Sequence, residues 1–388
     1  MPVNYQQIQS QIQRLGDQEI RRSRELAERT QRARELLERL SNDGGIFRER
    51  MQAALEADRY LRCAIPPDED PLLPVHVSPE PAACALLAAD GSQIFPNPHD
   101  AVYFGLVNVG VFRWQSGDPL PPRETTLSLL LSEDDLLENG GGEDAISLRR
   151  DVQERSELVR LAAAETLPVV ALTDGLLEFF RQPGDAGPLS SLAEKYVEEL
   201  AALKGSGGIP AGYVDRPRAD LVVRLLEIGD VDLPPGAYKD RPLGGVADAA
   251  LFSRILTRPG DRSALFGIQS TATDWFKGDC ALHFFYFNAG APGQPWLARV
   301  EITDWVAKDS EKLSLLQAML FEQVRILSPR PYPYALARAH EIAVVRMDER
   351  REVEAMVQTE LTRRGIAPGS ESNKQAFKLL EGKKRFSR

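Results

Sequence analysis

The stretch that decides the fold lies at residues 84–112 and reads CALLAADGSQIFPNPHDAVYFGLVNVGVF. Its first part, Cys84 to Ala89, is an apolar run typical of a buried strand, and a second strand is predicted from Val102 to Trp114. Asp90 interrupts the apolar pattern, and Gly91 follows directly. A carboxylate in such a place is unfavourable unless an Arg, a Lys, a helix N-terminus or a metal ion accompanies it. The alternative is an ordinary Asp-Gly turn, or a side chain that caps a backbone N–H group.

The composition excludes several classes of protein. The 388 residues carry a net charge of −10, which argues against a general nucleic-acid coat protein but not against a nuclease with a local metal centre. The three cysteines are far apart and form no CxxC pair, so we expect a reducing compartment. Residues 1–20 are polar, and no apolar run reaches membrane-spanning length. These features predict a cytoplasmic protein without a membrane span.

A long amphipathic helix is predicted for residues 5–42, which are rich in Gln, Arg, Glu and Leu. Two interpretations are open: the helix packs on its own domain, or it contacts a second subunit or a partner. Residues 64–81 are rich in proline and predict a linker, and residues 373–388 form a basic tail.

The order of the remaining elements indicates an α/β protein with a mixed sheet. Three neighbouring, antiparallel strands are predicted near residues 84–95, 101–114 and 124–132. Helices and strands then alternate from residue 143 onward, and one long helix is predicted from about 335 to 364.

A second apolar strand also ends on a carboxylate. The run LPVVALTDG at residues 167–175 repeats the first pattern and presents Asp174 before Gly175. Two neighbouring buried carboxylates repel each other unless a positive charge separates them. Oxygen ligands of this kind suit Mg²⁺ or Mn²⁺ rather than Zn²⁺. Three antiparallel strands with an Asp in the first are the pattern of ribonuclease H-like metal nucleases.

Four motifs, in order, resemble the NurA nucleases over about residues 50–362. They are ADGSQI around Asp90, followed by His99 and GLVNVGV; LTDGLL around Asp174; DAALFSRIL from Asp248, followed by Arg262 and Ser263; and YPYALARAHE from Tyr332 to Glu341. The sequence departs from the family pattern at Leu176, where a small hydroxyl residue is expected.

The resemblance implies a metal site. Asp90 and Asp174 match the two metal-binding aspartates, and an acidic residue is expected on the helix between them. Glu157, which is 17 positions before Asp174, fits that place, and Glu154 is the alternative. Taken without the resemblance, Asp174 could equally cap the following helix, and Glu157 is an ordinary solvated helix residue.

The family's C-terminal Tyr and His fall on Tyr332 and His340. The resemblance implies that His340 is a metal ligand or binds the scissile phosphate, and that Tyr332 orients the substrate or a water. The ordinary alternatives are a structural His and a packed turn residue.

The resemblance further implies a function. We expect a helical arm at residues 1–63, a NurA nuclease domain at 64–365 and a basic tail at 366–388. The expected activity is 5′ to 3′ exonuclease and single-strand endonuclease, with Mn²⁺ preferred and Mg²⁺ as the alternative. The implied setting is a homodimer that acts with a hexameric HerA-type ATPase on DNA ends during double-strand break repair. The alternatives are a non-catalytic adaptor of such an ATPase and the nuclease of an anti-phage complex.

Overall fold

The computed structural model describes residues 4–77, 83–97, 103–117, 121–138, 142–179, 188–327 and 329–366. The helices in these residues are α1 (Tyr5–Asn42), α2 (Gly44–Ala57), α3 (Glu133–Glu138), α4 (Glu143–Ala162), α5 (Pro188–Gly205), α6 (Leu221–Gly229), α7 (Asp248–Phe252), α8 (Asp304–Ala307), α9 (Ser310–Ile326), α10 (Tyr334–Ala343) and α11 (Met347–Arg363). The strands are β1 (Cys63–Ile65), β2 (Ala85–Ile94), β3 (Gly105–Gln115), β4 (Arg123–Leu131), β5 (Val169–Asp174), β6 (Gly208–Asp215), β7 (Phe266–Gln269), β8 (Leu282–Asn288) and β9 (Leu297–Thr303). None of the described helices is long and apolar enough to cross a membrane.

The chain divides into two compact units, each built from three separate chain segments. The first unit comprises residues 1–81, 175–182 and 211–332, and the second comprises residues 82–174, 183–210 and 333–388. The predicted division at residues 63 and 365 follows different boundaries and stays a prediction.

The first unit carries antiparallel strands in the order β1, β7, β8, β9 and β6. Strands β8 and β9 at the centre of this sheet are buried along almost their whole length. Strand β8 is rich in aromatic residues, and β9 carries the buried ion pair of Arg299 and Glu301. The C-terminal half of α1 covers the unit with Ala33, Leu36, Leu37 and Leu40, whereas Tyr5, Ile12, Leu15 and Ile20 in the N-terminal half are exposed. The helical arm is therefore anchored at one end only.

The second unit holds the mixed sheet that the sequence predicts. Strand β2 pairs with β3 in an antiparallel register and with β5 in a parallel register, and β3 pairs with β4 in an antiparallel register. Helices α4 and α10 both pack on β2 and β3. The fold class of an α/β protein with a mixed sheet flanked by helices and a long N-terminal helix is confirmed.

Several element boundaries differ from the sequence-based predictions. The predicted helix over 335–364 is wrong, because α10 ends at Ala343 and a separate helix begins at Met347. The new helix begins where the backbone N–H of Arg346 donates to the Glu349 carboxylate at 2.7 Å. The predicted end of the first helix at Asn42 is confirmed, and the Asp43 side chain caps α2 by accepting from the backbone N–H of Ile46.

Candidate active site

Strand β2 presents neighbouring side chains to two different helices. Successive side chains of a strand point to opposite faces of the sheet. Asp90 and Ser92 therefore face α10, where Asp90 meets His340 and Ser92 donates to the carbonyl of Ala343. Gly91 lies on the other face, toward α4. A single stretch of strand thus connects both flanking helices.

A histidine and a carboxylate form the centre of the site. The Nδ1 atom of His340 lies 2.7 Å from Oδ2 of Asp90, and the other carboxylate oxygen accepts from the backbone N–H of Gly91 at 2.8 Å. A carboxylate accepts, so Nδ1 carries a proton, and Nε2 is the ring nitrogen that points away from Asp90. The His340 side chain is 67% exposed and that of Asp90 is 20% exposed. The ring is therefore oriented by Asp90 and open on its other edge.

Helix α10 is held against the sheet by close packing and by its last carbonyl. A Cβ atom added at Gly110 of β3 would lie only 2.6 Å from the backbone nitrogen of Ala343, so only glycine allows this approach. The Ala343 carbonyl accepts from Ser92 and from Nδ2 of Asn108, the latter at 2.8 Å. These bonds satisfy a carbonyl that the end of the helix leaves without an intrahelical partner.

The acidic residue of α4 that lies against β2 is Glu154. Its side chain is buried, and its Oε1 atom would stand 2.7 Å from a Cβ placed at Gly91. Arg150 and Arg155 approach its carboxylate at 3.4 and 3.5 Å. Burial, together with the negative charges of Asp151 and Asp90, raises the pKa of Glu154 to about 8 despite the two arginines. Additional positive charge is required to keep this carboxylate ionised at neutral pH.

Glu157 lies one helical turn further along α4 and has a different partner. Its Oε2 atom accepts from Nε and Nη2 of Arg160 at 3.0 and 2.7 Å. Glu157 is also buried, so burial alone does not separate it from Glu154. The two glutamates differ in their neighbours: Glu154 lies against Gly91 of β2 and interacts electrostatically with Asp90, whereas Glu157 is bound to Arg160.

Asp174 occupies the strand position beside Asp90. The parallel register of β2 and β5 runs from Ala85 opposite Val169 to Ala89 opposite Thr173. One further step brings Asp90 and Asp174 to the same level. Neighbouring strands lie about 4.8 Å apart, and residues at the same level point to the same face. Both carboxylate-bearing residues therefore directly follow the Ala89–Thr173 pair, at one end of the β2–β5 ladder.

Tyr332 belongs to the first unit, whereas Asp90, Glu154, Glu157, Asp174 and His340 belong to the second. Within its unit, the Tyr332 ring packs edge-on against Tyr213 of β6, with centroids 5.8 Å apart and planes at 85°. His99 lies outside the described residues.

A domain comparison identifies the family. The sequence model of the NurA domain matches residues 84–345. The chain belongs to the NurA family. The match includes Asp90, Asp174, Tyr332 and His340. A comparison with curated proteins found no match.

Three solved structures are similar to this NurA-family chain at low sequence identity. The NurA nuclease from Sulfolobus solfataricus is 16% identical with a TM-score of 0.47, over 75% of this chain and 88% of that one. The catalytic domain of human Endonuclease V is 15% identical with a TM-score of 0.32, over 80% and 95% of the two chains. LC9-RNase H1, a type 1 RNase H with the type 2 active-site motif, is 14% identical with a TM-score of 0.24, over 45% and 87%.

The donor types of the NurA-family site fit a hard divalent cation. Asp90, Asp174 and Glu154 offer carboxylate oxygens, the ligands that Mg²⁺ and Mn²⁺ prefer. Among the described residues, no group of three or more His, Cys, Asp or Glu side chains is already arranged around one point to hold a metal ion. Binding of a metal ion would therefore require the carboxylates to turn toward a common centre. The raised pKa of Glu154 indicates that the surroundings of this carboxylate lack positive charge.

Two residues that position the candidate site were not predicted from the sequence. Gly110 and Asn108 belong to the GLVNVGV motif, where the sequence predicts no role for them, yet they hold α10 against the sheet. A Gly and an Asn inside an otherwise apolar strand are the signal that could have found them, because a strand glycine often marks a close backbone approach. Arg150 and Arg155 gave no such signal, since arginines on a polar helix are usual.

Proposed function

We propose that this NurA-family protein is a metal-dependent deoxyribonuclease of the cytoplasm. Membership of the family supports a nuclease. The observation that carries the proposal is the His340–Asp90 hydrogen bond of 2.7 Å beside a second carboxylate position, Asp174, at the same level of the neighbouring strand. A pair of acidic positions and an oriented, exposed imidazole suits phosphodiester hydrolysis.

Some of these residues would hold the metal ion, and others would orient the substrate. Asp90, Asp174 and one glutamate of α4 would hold Mn²⁺ or Mg²⁺, with His340 beside them. When bound, such an ion lowers the pKa of a bound water and neutralises charge on the phosphate. Glu154 has better support than Glu157 as the helix ligand, because it faces β2 and interacts with Asp90 while Glu157 is paired with Arg160.

His340 is suited to act at the phosphate or its leaving group. Asp90 fixes the ring by accepting from Nδ1, which leaves Nε2 pointing away from the carboxylate. In the protonated ring Nε2–H donates to a phosphate oxygen or to the departing oxygen. In the neutral ring Nε2 is a ligand or accepts a proton from water. Tyr332, fixed by its packing on Tyr213, would orient the substrate or a water.

Digestion of end-labelled single-stranded and duplex DNA tests the nuclease directly. The purified chain is compared in Mn²⁺, Mg²⁺ and EDTA with Asp90→Asn, and with Asp134→Asn as a matched control because Asp134 is exposed on α3. We expect cleavage that requires the metal, disappears in Asp90→Asn and is unchanged in Asp134→Asn. Near wild-type cleavage by Asp90→Asn would remove Asp90 from the site. The polarity of the products tests the proposed 5′ to 3′ exonuclease and single-strand endonuclease activities.

We also propose a homodimer that works with a hexameric HerA-type ATPase in DNA end resection and double-strand break repair. Light scattering should give twice the chain mass of 43.0 kDa. Residues 5–24 of α1 are largely exposed, so removing residues 1–24 should weaken association with the ATPase without unfolding the first unit. No cleavage with or without the ATPase would favour the adaptor. Gene neighbours encoding phage-defence proteins would favour the anti-phage role.

A further inference from the structure

A tryptophan and an arginine stack on each other at the end of β6, in the first unit. The guanidinium carbon of Arg216 lies 4.7 Å from the centroid of the Trp296 ring. The indole N–H of Trp296 donates to Oδ1 of Asp215 at 2.6 Å. Because Asp215 pairs with Ala298 across β6 and β9, the end of β6 lies beside the chain that enters β9. The ring is thus fixed by a hydrogen bond and covered on one side by a cation.

The backbone holds Arg216 in an uncommon conformation. Its φ angle is +46°, in the left-handed region that non-glycine residues rarely occupy. The following residue is Pro217, which further restricts the residue before it. Strain of this kind persists where surrounding contacts enforce it, and it often accompanies function. Here it accompanies a guanidinium placed over an indole.

Two arginines accompany this stack: Arg216 lies over the Trp296 ring, and Arg218 follows two residues further along the chain. Both Arg216 and Arg218 are exposed, and within the described part of the chain neither forms an ion pair with a carboxylate. Asp220 pairs with Arg241, whereas Asp215 accepts from the neutral indole N–H of Trp296 and keeps its negative charge. In a chain with 57 acidic and 47 basic residues, Arg216 and Arg218 against the Asp215 carboxylate leave a local excess of positive charge. The ordinary explanation is a pair of solvated side chains, which would not require a strained backbone or a fixed indole.

We propose that Arg216, Arg218 and Trp296 form a stacking platform for single-stranded DNA, an assignment that rests on the proposed deoxyribonuclease activity. A base stacks on the indole–guanidinium pair, and the two arginines pair with the flanking phosphates. Aromatic and guanidinium planes accept any base, whereas the planar guanidinium also matches phosphate oxygens. Tyr213, which precedes Asp215 by two residues on β6, carries the ring on which Tyr332 packs. The platform therefore lies at the end of the strand that positions Tyr332.

Fluorescence anisotropy of a labelled oligothymidylate, titrated with the full-length chain in EDTA, tests the platform without cleavage. Trp296→Ala should weaken binding roughly 5- to 100-fold, and Trp296→Phe should restore most of it. Arg216→Ala should lower the slope of log affinity against log salt by about 0.7, the value for one single-strand phosphate contact. Trp296→Ala should leave that slope unchanged, because it removes no charge.

The matched control is the Arg59–Tyr60 pair, another exposed arginine over an aromatic ring of the first unit, at 5.3 Å. Arg59→Ala combined with Tyr60→Ala should leave affinity and slope unchanged. Equal weakening by the control and by the platform variants would overturn the platform, as would wild-type binding by both Arg216→Ala and Trp296→Ala. Arg216→Ala alters an exposed side chain, so it keeps the test decisive if Trp296→Ala does not fold. Absence of any DNA binding by the wild-type chain would overturn the deoxyribonuclease proposal as well, which separates the two failures.

Discussion

Replacing Gly110 by alanine should separate His340 from Asp90 without touching either residue. The added Cβ would lie 2.6 Å from the backbone nitrogen of Ala343 and 2.8 Å from the carbonyl oxygen of Ala339. An ordinary carbon contact begins near 3.4 Å, so α10 must withdraw by about 0.8 Å. Both clashing atoms belong to the helix backbone, so rotation of a side chain cannot relieve them.

The displacement of α10 should lower both the stability and the cleavage activity of the variant. Overpacking of this kind lowers the free energy of unfolding by about 1–3 kcal/mol, slightly offset by the lower backbone entropy of alanine in the unfolded chain. The 2.7 Å bond between His340 and Asp90 would stretch to the limit of a hydrogen bond. A misplacement of about 1 Å lowers a catalytic rate by roughly 100-fold, so Gly110→Ala should lose most of its cleavage activity.

The assays are urea unfolding followed by circular dichroism, and initial cleavage rates at a temperature where the variant is folded. Gly105→Ala is the control in the same strand, because its Cβ would meet its neighbours at 3.4 to 3.5 Å. It should keep wild-type activity. If Gly110→Ala kept wild-type stability and activity, the close packing of α10 on β3 would be refuted.

Two further predictions concern buried carboxyl groups. Glu154→Gln should lower the cleavage rate at least roughly 100-fold, while Glu157→Gln should stay within a few-fold of wild type, because Glu154 lies against β2 and interacts with Asp90 whereas Glu157 is bound to Arg160; the reverse order in a rate assay would select Glu157. Burial raises the pKa of Asp248 from 3.8 to about 6, despite two backbone N–H groups and a tyrosine hydroxyl that donate to it. The folded state therefore keeps this proton while the unfolded state releases it, so the Asp248 contribution to stability is complete below about pH 4 and is lost as the pH rises through about 6. Urea midpoints measured between these values should show this fall in the wild type and lack it in Asp248→Asn; an identical pH dependence in both proteins would contradict the assignment.

The sequence could predict which strands carry carboxylates, because apolar runs that end in Asp-Gly stand out from the surrounding pattern. It could not predict that Asp90 and Asp174 share one level, since register depends on pairing between strands that lie far apart in the chain. The sequence also could not predict whether Glu154 or Glu157 lies against β2. Both lie on the buried side of α4, and only the position of the helix over β2 separates them.

The end of α10 illustrates the same limit. No glycine or proline interrupts the sequence from residue 335 to 364, so local propensity predicts one continuous helix. Helix α10 ends at Ala343, whose carbonyl accepts hydrogen bonds from the side chains of Ser92 and Asn108. These donors come from strands more than 230 residues earlier in the chain. A break that depends on tertiary contacts leaves no local signal.

The division of each unit among three chain segments has a consequence for synthesis on the ribosome. Residues 82–174 form a continuous block of the second unit and can begin to pair as soon as they emerge. The first unit must wait, because Arg32 of α1 meets Asp230 only after 198 further residues have been added. At 5–20 residues per second this delay is roughly 10–40 s. During that time the buried face of α1, with Leu36, Leu37 and Leu40, lacks the surfaces of α6 and α7 on which it packs in the folded unit.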